Sequence, residues 1–239
     1  MTDYLPLTGT TYTFNGYTWL DRNLGAQNAT IGNAGSFGLL YQYGRKDPFP
    51  GSSSAVYGST TPAKIYNFSG TELTEDVAGV VKVATTAVTN LPNTILNPLT
   101  FYTASSTSAT VATETHDWYS SSVDKHSAYL WCNANGAKSI FDPCPIGWRV
   151  PSNFVWNGLA YFWDTTYLGF RSSTVGWYPA AGLRLADTGT ISDIGFRGLV
   201  WQGGIDGSAT HSYWNYDPSN SFLNSAFRSW GMSVRCVKE

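Results

Sequence analysis

Three histidines, His116, His126 and His211, are the only imidazoles in the chain, and two of them flank a serine-rich run carrying the residue types of a hydrolytic triad. Ser120, Ser121 and Ser122 lie between His116 and His126, with Asp117 and Asp124 alongside. A serine hydrolase needs its nucleophile raised on a sharp turn beside the base, and no G-x-S-x-G elbow occurs in the sequence. The run therefore reads as a solvated polar loop. Asp206 and Asp217 could pair for acid–base work, but both sit in turn-forming surroundings, where an aspartate ordinarily bonds its own backbone. Asp21, Asp142 and Asp206 fall into no calcium loop with alternating acidic ligands. The glycine-rich stretches lack the Lys-Ser/Thr ending of a phosphate-binding loop. Cys132, Cys144 and Cys236 follow no zinc spacing; they are either small buried residues or one disulfide with one thiol left over. No active site, metal or cofactor is expected, and the chain reads as a non-enzyme.

The elements that would position such residues are mostly short apolar runs broken by Gly, Pro, Asn and Ser, the pattern of strands and structured loops. One helix is expected from Pro151, capped by Ser152, with Val155, Leu159 and Phe162 on one face and Trp156, Ala160 and Trp163 beside it. The stretch from Thr71 to Ala84 reads equally as helix or strand. Two segments rich in Ser and Thr, near 51–62 and 103–123, read as inserted surface loops on a single domain spanning 1–239. The terminal Ser233 to Val237 alternates as a half-buried strand would.

With 239 residues, 42% of them hydrophobic, the chain can build a sizeable core. Charged residues make up only 13% and aromatic ones 15%, including ten Trp, so burial and flat contact surfaces outweigh salt-bridged faces. A formal net charge of -2 gives no electrostatic reason to expect nucleic acid or an anionic membrane as partner. No apolar run approaches the roughly 20 residues that cross a bilayer, and Met1-Thr2-Asp3-Tyr4 is not a basic-then-apolar leader, so a soluble chain is expected.

Four blocks, in order, carry a resemblance: WLDRNLGA from Trp19, GLLYQYGRKDPF from Gly38, DPCPIGWRVPS from Asp142 and GMSVRCVKE from Gly231. Together they resemble the FISUMP-type domain of bacterial surface and phage proteins, related to the formylglycine-generating-enzyme branch of the C-type lectin fold. The resemblance implies an α+β architecture: a loop-rich C-type lectin-like fold with few helices and short antiparallel strands. It also implies a last strand returning beside the first helix, which would bring Cys236 to Cys144 and leave Cys132 free. Catalysis in the enzyme branch uses paired cysteines, and no second cysteine accompanies Cys236. The Glu-Pro-Asn or Gln-Pro-Asp triplet of calcium-dependent sugar lectins is missing.

The region of about 182–231 is similar to the variable region of proteins diversified by retroelements, in which copying errors at adenine rewrite AAC or AAT codons. Such codons never yield Trp, Gln, Glu, Lys or Met. Between frame residues, Leu185, Ala186, Asp187, Ser192, Asp193, Phe196, Arg197, Leu199 and Val200 belong to the allowed set. So do His211, Tyr213, Asn215, Tyr216, Asp217, Asn224, Ser225, Ala226 and Phe227, whereas Trp201, Gln202, Trp214, Trp230 and Met232 must be frame. These side chains follow neither helical nor strand periodicity, as expected of positions chosen for binding. The resemblance implies a receptor-binding module at a phage tail-fibre tip or on a bacterial surface, recognising a cell-surface protein or glycan. Phe196, Tyr213, Tyr216 and nearby Trp rings would supply area, and Arg197, Asp187, Asp193 and His211 directional contacts. Fibre tips often trimerise, so the resemblance allows a homotrimer without implying one.

Overall fold

The computed structural model describes residues 10–66, 69–73, 81–84, 90–103, 118, 129–133, 136–152, 155–160, 162–205 and 210–239. The architecture is β-rich, not α+β. Among these residues the only α-helix is Asn90–Leu96, and a 3-10 turn covers Ala34–Ser36. The helix expected from Pro151 is not formed in the described part of that segment: residues 155–158 form turns and Trp163–Asp164 is a strand. Its helix-like spacing has another origin. Val155, Trp156 and Trp163 are buried in one cluster, while Phe162 points largely to solvent. The ambiguous 71–84 stretch contains strands Glu72–Leu73 and Val81–Ala84.

Most strands lie in antiparallel sheets; Val81–Ala84 with Thr100–Thr103 is a parallel pair. The hairpin Thr11–Phe14/Tyr17–Leu20 accepts Val237–Lys238 beside Tyr17–Leu20, and Trp148–Arg149 pairs with the far side of Val237–Lys238. A five-stranded sheet runs in the order Ile191–Ser192, Leu183–Arg184, Gly231–Met232, Leu39–Gln42 and Phe49–Pro50. Two three-stranded meanders complete the centre: Trp163–Asp164, Gly169–Ser172 and Gly176–Pro179, and the longer Gly198–Ile205, Thr210–Tyr216 and Ser221–Phe227.

The longer meander separates two cores. Leu199, Trp201, Tyr213 and Ala226 pack with Tyr41, Tyr43, Trp118, Trp131 and Met232. Val200, Trp214 and Tyr216 pack with Trp19, Trp156, Phe170 and Tyr178. The two sets alternate along each strand, as side chains on opposite faces of a sheet must. Tryptophan tolerates such burial only if its N–H finds a partner. Trp201 Nε1 donates to the Tyr41 carbonyl at 2.8 Å, Trp118 to Tyr43 at 2.7 Å, and Trp156 to the Tyr178 hydroxyl at 3.2 Å.

The C-terminal stretch is held from two directions. Leu20 and Leu24 donate backbone N–H groups to Cys236 and Val234, while Trp201 and Ser233 bond each other's neighbourhood through Trp201 N to Ser233 O and Ser233 N to Leu199 O. Residues 231–237 are consequently buried without alternation, unlike the half-buried strand their pattern predicts. Cys144 and Cys236 are joined in a disulfide, and Cys132 carries a free thiol. Arg235, fully buried, lies over the Tyr178 ring at 3.8 Å and donates to Asn23 Oδ1 and the Trp177 carbonyl. Burial pushes its pKa down, against the pull of the surrounding tyrosines and Asp21.

No helix among the described residues is long and apolar enough to cross a membrane.

Candidate recognition groove

The 182–197 segment begins as the strand Leu183–Arg184, turns, and returns as Ile191–Ser192. The turn is closed by Leu185 N to Thr190 O at 3.0 Å and Gly189 N to Leu185 O at 2.8 Å, which lifts Asp187 and Thr188 into solvent. Arg184 fixes this turn from below. Its guanidinium is fully buried, donating to the Gly189 carbonyl at 2.7 Å and twice to the Pro50 carbonyl at 2.9 and 2.7 Å. Pro50 is the last residue before the 51–62 loop, so one side chain anchors the base of two surface segments.

A second turn covers Asp193 to Arg197. Asp193 has φ +62, a left-handed conformation that Asp adopts more readily than most residues. Its carbonyl accepts the N–H groups of Phe196 and Arg197. Its carboxylate is also engaged: Oδ2 takes Arg197 Nε at 2.7 Å and a terminal guanidinium nitrogen at 2.6 Å, and Oδ1 takes the Ser192 hydroxyl at 3.1 Å. The backbone thus holds Phe196 outward, with its ring 44% exposed.

The opposite wall comes from the 51–62 loop. The loop is a closed hairpin-like excursion, with Ser52 bridging Pro62, Ser53 N bonding Thr61 O and Ala63 N bonding Gly51 O. Ala55 packs on the small apolar cluster of Phe37, Ala181, Ile191 and Ile194, which also underlies the second turn. Gly58 N donates to the Ile194 carbonyl at 2.8 Å. Gly195 makes this approach feasible: it has φ +74, and a Cβ there would lie 3.0 Å from Tyr57 Cα and 2.9 Å from Leu168 Cδ1.

Between the walls lies a groove of about 350 Å³ lined by Tyr57, Gly58, Thr60, Ser192, Asp193, Ile194 and Phe196. The Tyr57 ring, 64% exposed, meets Phe196 edge to face with centroids 6.4 Å apart. The groove thus sets two large exposed rings beside an ion pair whose charges are matched within the turn. Binding sites characteristically combine exposed aromatic area with a few fixed polar groups.

The chain matches no known family model, no curated protein and no solved structure.

The expected variable residues divide by location. Asp187 and Phe196 are exposed, and Ser192, Asp193 and Arg197 half-exposed, on the two turns. Leu185 is partly buried against the first core, and Ala186 is buried. Leu199, Val200 and Tyr216 are fully buried and Tyr213, Asn215 and Ala226 nearly so. None of these six offers a surface in this chain. Tyr216 donates its hydroxyl to the Pro179 carbonyl at 2.8 Å, and its ring lies across Gly198, where a Cβ would sit 2.0 Å from it. Burial raises the pKa values of Tyr213 and Tyr216. Asp217 is half-buried and bonds the N–H groups of Ser219 and Asn220 as a turn-former. Asn224 and Ser225 are exposed on the strand Ser221–Phe227, while Phe227 is half-buried against Trp230. His211 lies on the strand Thr210–Tyr216, paired with Ala226. The frame residues Trp201, Gln202, Trp214 and Met232 are buried, and Trp230 is partly so.

No Trp lies among the exposed large apolar residues, so the aromatic area of the groove comes from Tyr57 and Phe196. Tyr57 lies in a segment whose Ser, Gly and Thr content has the signature of a polar surface loop. The adjacent Val56-Tyr57 pair inside a run of Ser, Gly and Thr was the available signal. His116, His126, Asp117, Asp124, Ser120, Ser121, Ser122 and Asp206 lie outside the described residues, as does most of the 103–123 segment.

Proposed function

We propose that this chain is a ligand-binding module that meets a cell-surface target through the groove between residues 56–60 and 192–197. The observation that carries this reading is the paired exposure of Tyr57 and Phe196 above polar side chains fixed by their own hydrogen bonds. Rigid aromatic side chains give contact area at little entropic cost, and pre-bonded polar groups need no ordering on binding. The resemblance of the four sequence blocks to FISUMP-type surface and phage domains supports a role in adhesion, at a tail-fibre tip or on a bacterial surface. The resemblance to retroelement-diversified proteins supports variation on the turns, where Asp187, Ser192, Asp193, Phe196 and Arg197 can change without disturbing either core.

The test is genetic and direct. Sequencing DNA downstream of the gene should reveal a near-repeat of the segment encoding Gly182 to Glu239 and a reverse transcriptase. Repeat and gene should differ at the exposed turn positions and agree at Leu199, Val200 and Tyr216. Differences concentrated at those buried positions would overturn the assignment of the turns as the varied surface.

A further inference from the structure

We infer that the groove binds an uncharged saccharide, with Tyr57 as its constant anchor and Phe196 as the opposing ring. The inference rests on the recognition reading above and specifies its ligand. Three observations select the ligand class. First, Asp193 is the only charged residue among the described residues that line the groove, and it is neutralised by Arg197 at 2.6 Å. An ionic ligand would find no uncompensated charge to meet it, and would have to break this pair to create one.

Second, the walls are wet. Tyr57 and Phe196 keep about half their surface or more in water, so there is no enclosed apolar chamber for a hydrocarbon ligand. The rings meet edge to face at an interplanar angle of 83°, so the pair offers one aromatic face beside one aromatic edge. A pyranose presents a patch of C–H groups on one face, matched to an aromatic face, and hydroxyls around its rim. Third, acceptors stand at that rim. An ionised carboxylate has about four lone-pair sites; Arg197 and Ser192 occupy three on Asp193, leaving capacity for a ligand hydroxyl. Thr60 adds a hydroxyl that can donate or accept.

Size fits as well. About 350 Å³ is at the small end of ligand sites, room for one or two sugar rings and far short of a protein epitope. Tyr57 lies outside the segment that resembles a variable region, so one ring of the pair would persist while its partner at Phe196 changes. Such an arrangement keeps an affinity for sugar faces constant and lets the turn choose which sugar.

The experiment uses the whole chain on an array of neutral and acidic glycans, followed by saturation-transfer NMR with the free neutral sugars retained. Binding should be confined to neutral glycans, with transfer to the C–H protons of one sugar face. Tyr57→Ala and Phe196→Ala should each weaken binding about tenfold or more while leaving the thermal midpoint unchanged. Ile146→Ala, at an isolated exposed residue elsewhere, should have no effect. Retention of no glycan, preference for acidic ones, or binding that survives both aromatic substitutions would each overturn the inference. A display library randomised at Ser192, Phe196 and Arg197 separates this failure from failure of the recognition reading. Selection of binders to protein targets alone would keep the groove as a recognition surface and remove the saccharide. Failure to select binders of any kind would remove the surface itself.

Discussion

Two neighbouring stretches lack periodicity for opposite reasons. In the strand Gly198–Ile205, Leu199, Val200 and Trp201 are consecutive and all 0% exposed, because the sheet is covered on both faces by separate cores. A strand with no solvent face has no reason to alternate. In the turns just before it, Asp187 and Phe196 face water and answer to no core at all. Absence of pattern can therefore mean complete burial or complete freedom. The adenine-codon criterion is equally blind, since Leu, Val, Phe and Asp all satisfy it. Packing distinguishes the two: of the residues named as variable, those on the sheet centre are buried and those on the turns reach solvent.

The widest separation between the regions should appear on truncating one aromatic residue from each. Trp201→Ala removes a ring enclosed by Tyr43, Trp131 and Tyr213 and leaves the Tyr41 carbonyl without its indole donor. A loss of about 4 kcal/mol is expected. Phe196→Ala should stay within about 0.5 kcal/mol of the parent, as for an exposed site. Chemical denaturation of the two variants checks both values. Equal losses would mean that Phe196 is structural and that the contrast between the regions does not hold.

A smaller effect is expected where the regions meet. Arg184 joins the Pro50 carbonyl, at the base of the 51–62 loop, to the Gly189 carbonyl of the first turn. Arg184→Ala strands both buried acceptors and should cost about 3 kcal/mol. Arg184→Lys should recover only part, because a single ammonium cannot reproduce a planar fork. If Arg184→Ala changes stability by less than about 1 kcal/mol, the base of the 51–62 loop and the first turn do not depend on this side chain.

The sequence made parts of this arrangement readable and hid others for physical reasons. Short apolar runs broken by Gly, Pro and Asn correspond to short strands, as at Leu39–Gln42 and Gly176–Pro179. The α+β expectation failed at the Pro151 segment because Val155, Trp156 and Trp163 are spaced like a helix face but reach one cluster from turns and a strand. Burial of Arg184 and Arg235 was hidden, since a charged side chain is ordinarily expected at the surface. Arg184 is satisfied by the Pro50 and Gly189 carbonyls, and Arg235 by Asn23 Oδ1, the Leu20 and Trp177 carbonyls and the Tyr178 ring, partners that mostly come from distant segments. The 192–197 side of the groove carries Phe196, Asp193 and Arg197, residues that the sequence alone singles out. Tyr57 carries a local mark in the apolar Val56-Tyr57 pair, but its contact with Phe196 is a tertiary fact that no local pattern encodes.

Cys132 gives the mildest probe of the same contrast. Its thiol donates to the carbonyl of Gly203, on the strand that carries Trp201, with Sγ to O 2.6 Å. Burial, followed by the negative charge of Asp142, raises its pKa above that of an ordinary thiol. A raised pKa lowers the thiolate fraction at any pH below it, and the thiolate is the reacting species. Alkylation at neutral pH should therefore be slower in the native chain than in the unfolded one, with the gap narrowing as pH rises through the native value. Phe196→Ala should leave this protection intact, because the turn shares no core with Gly203. Trp201→Ala, two residues away on the same strand, should erode it before global unfolding. Rapid alkylation of the native chain would show that the strand edge beside Cys132 opens readily, and that its burial differs less from the turns than the packing implies.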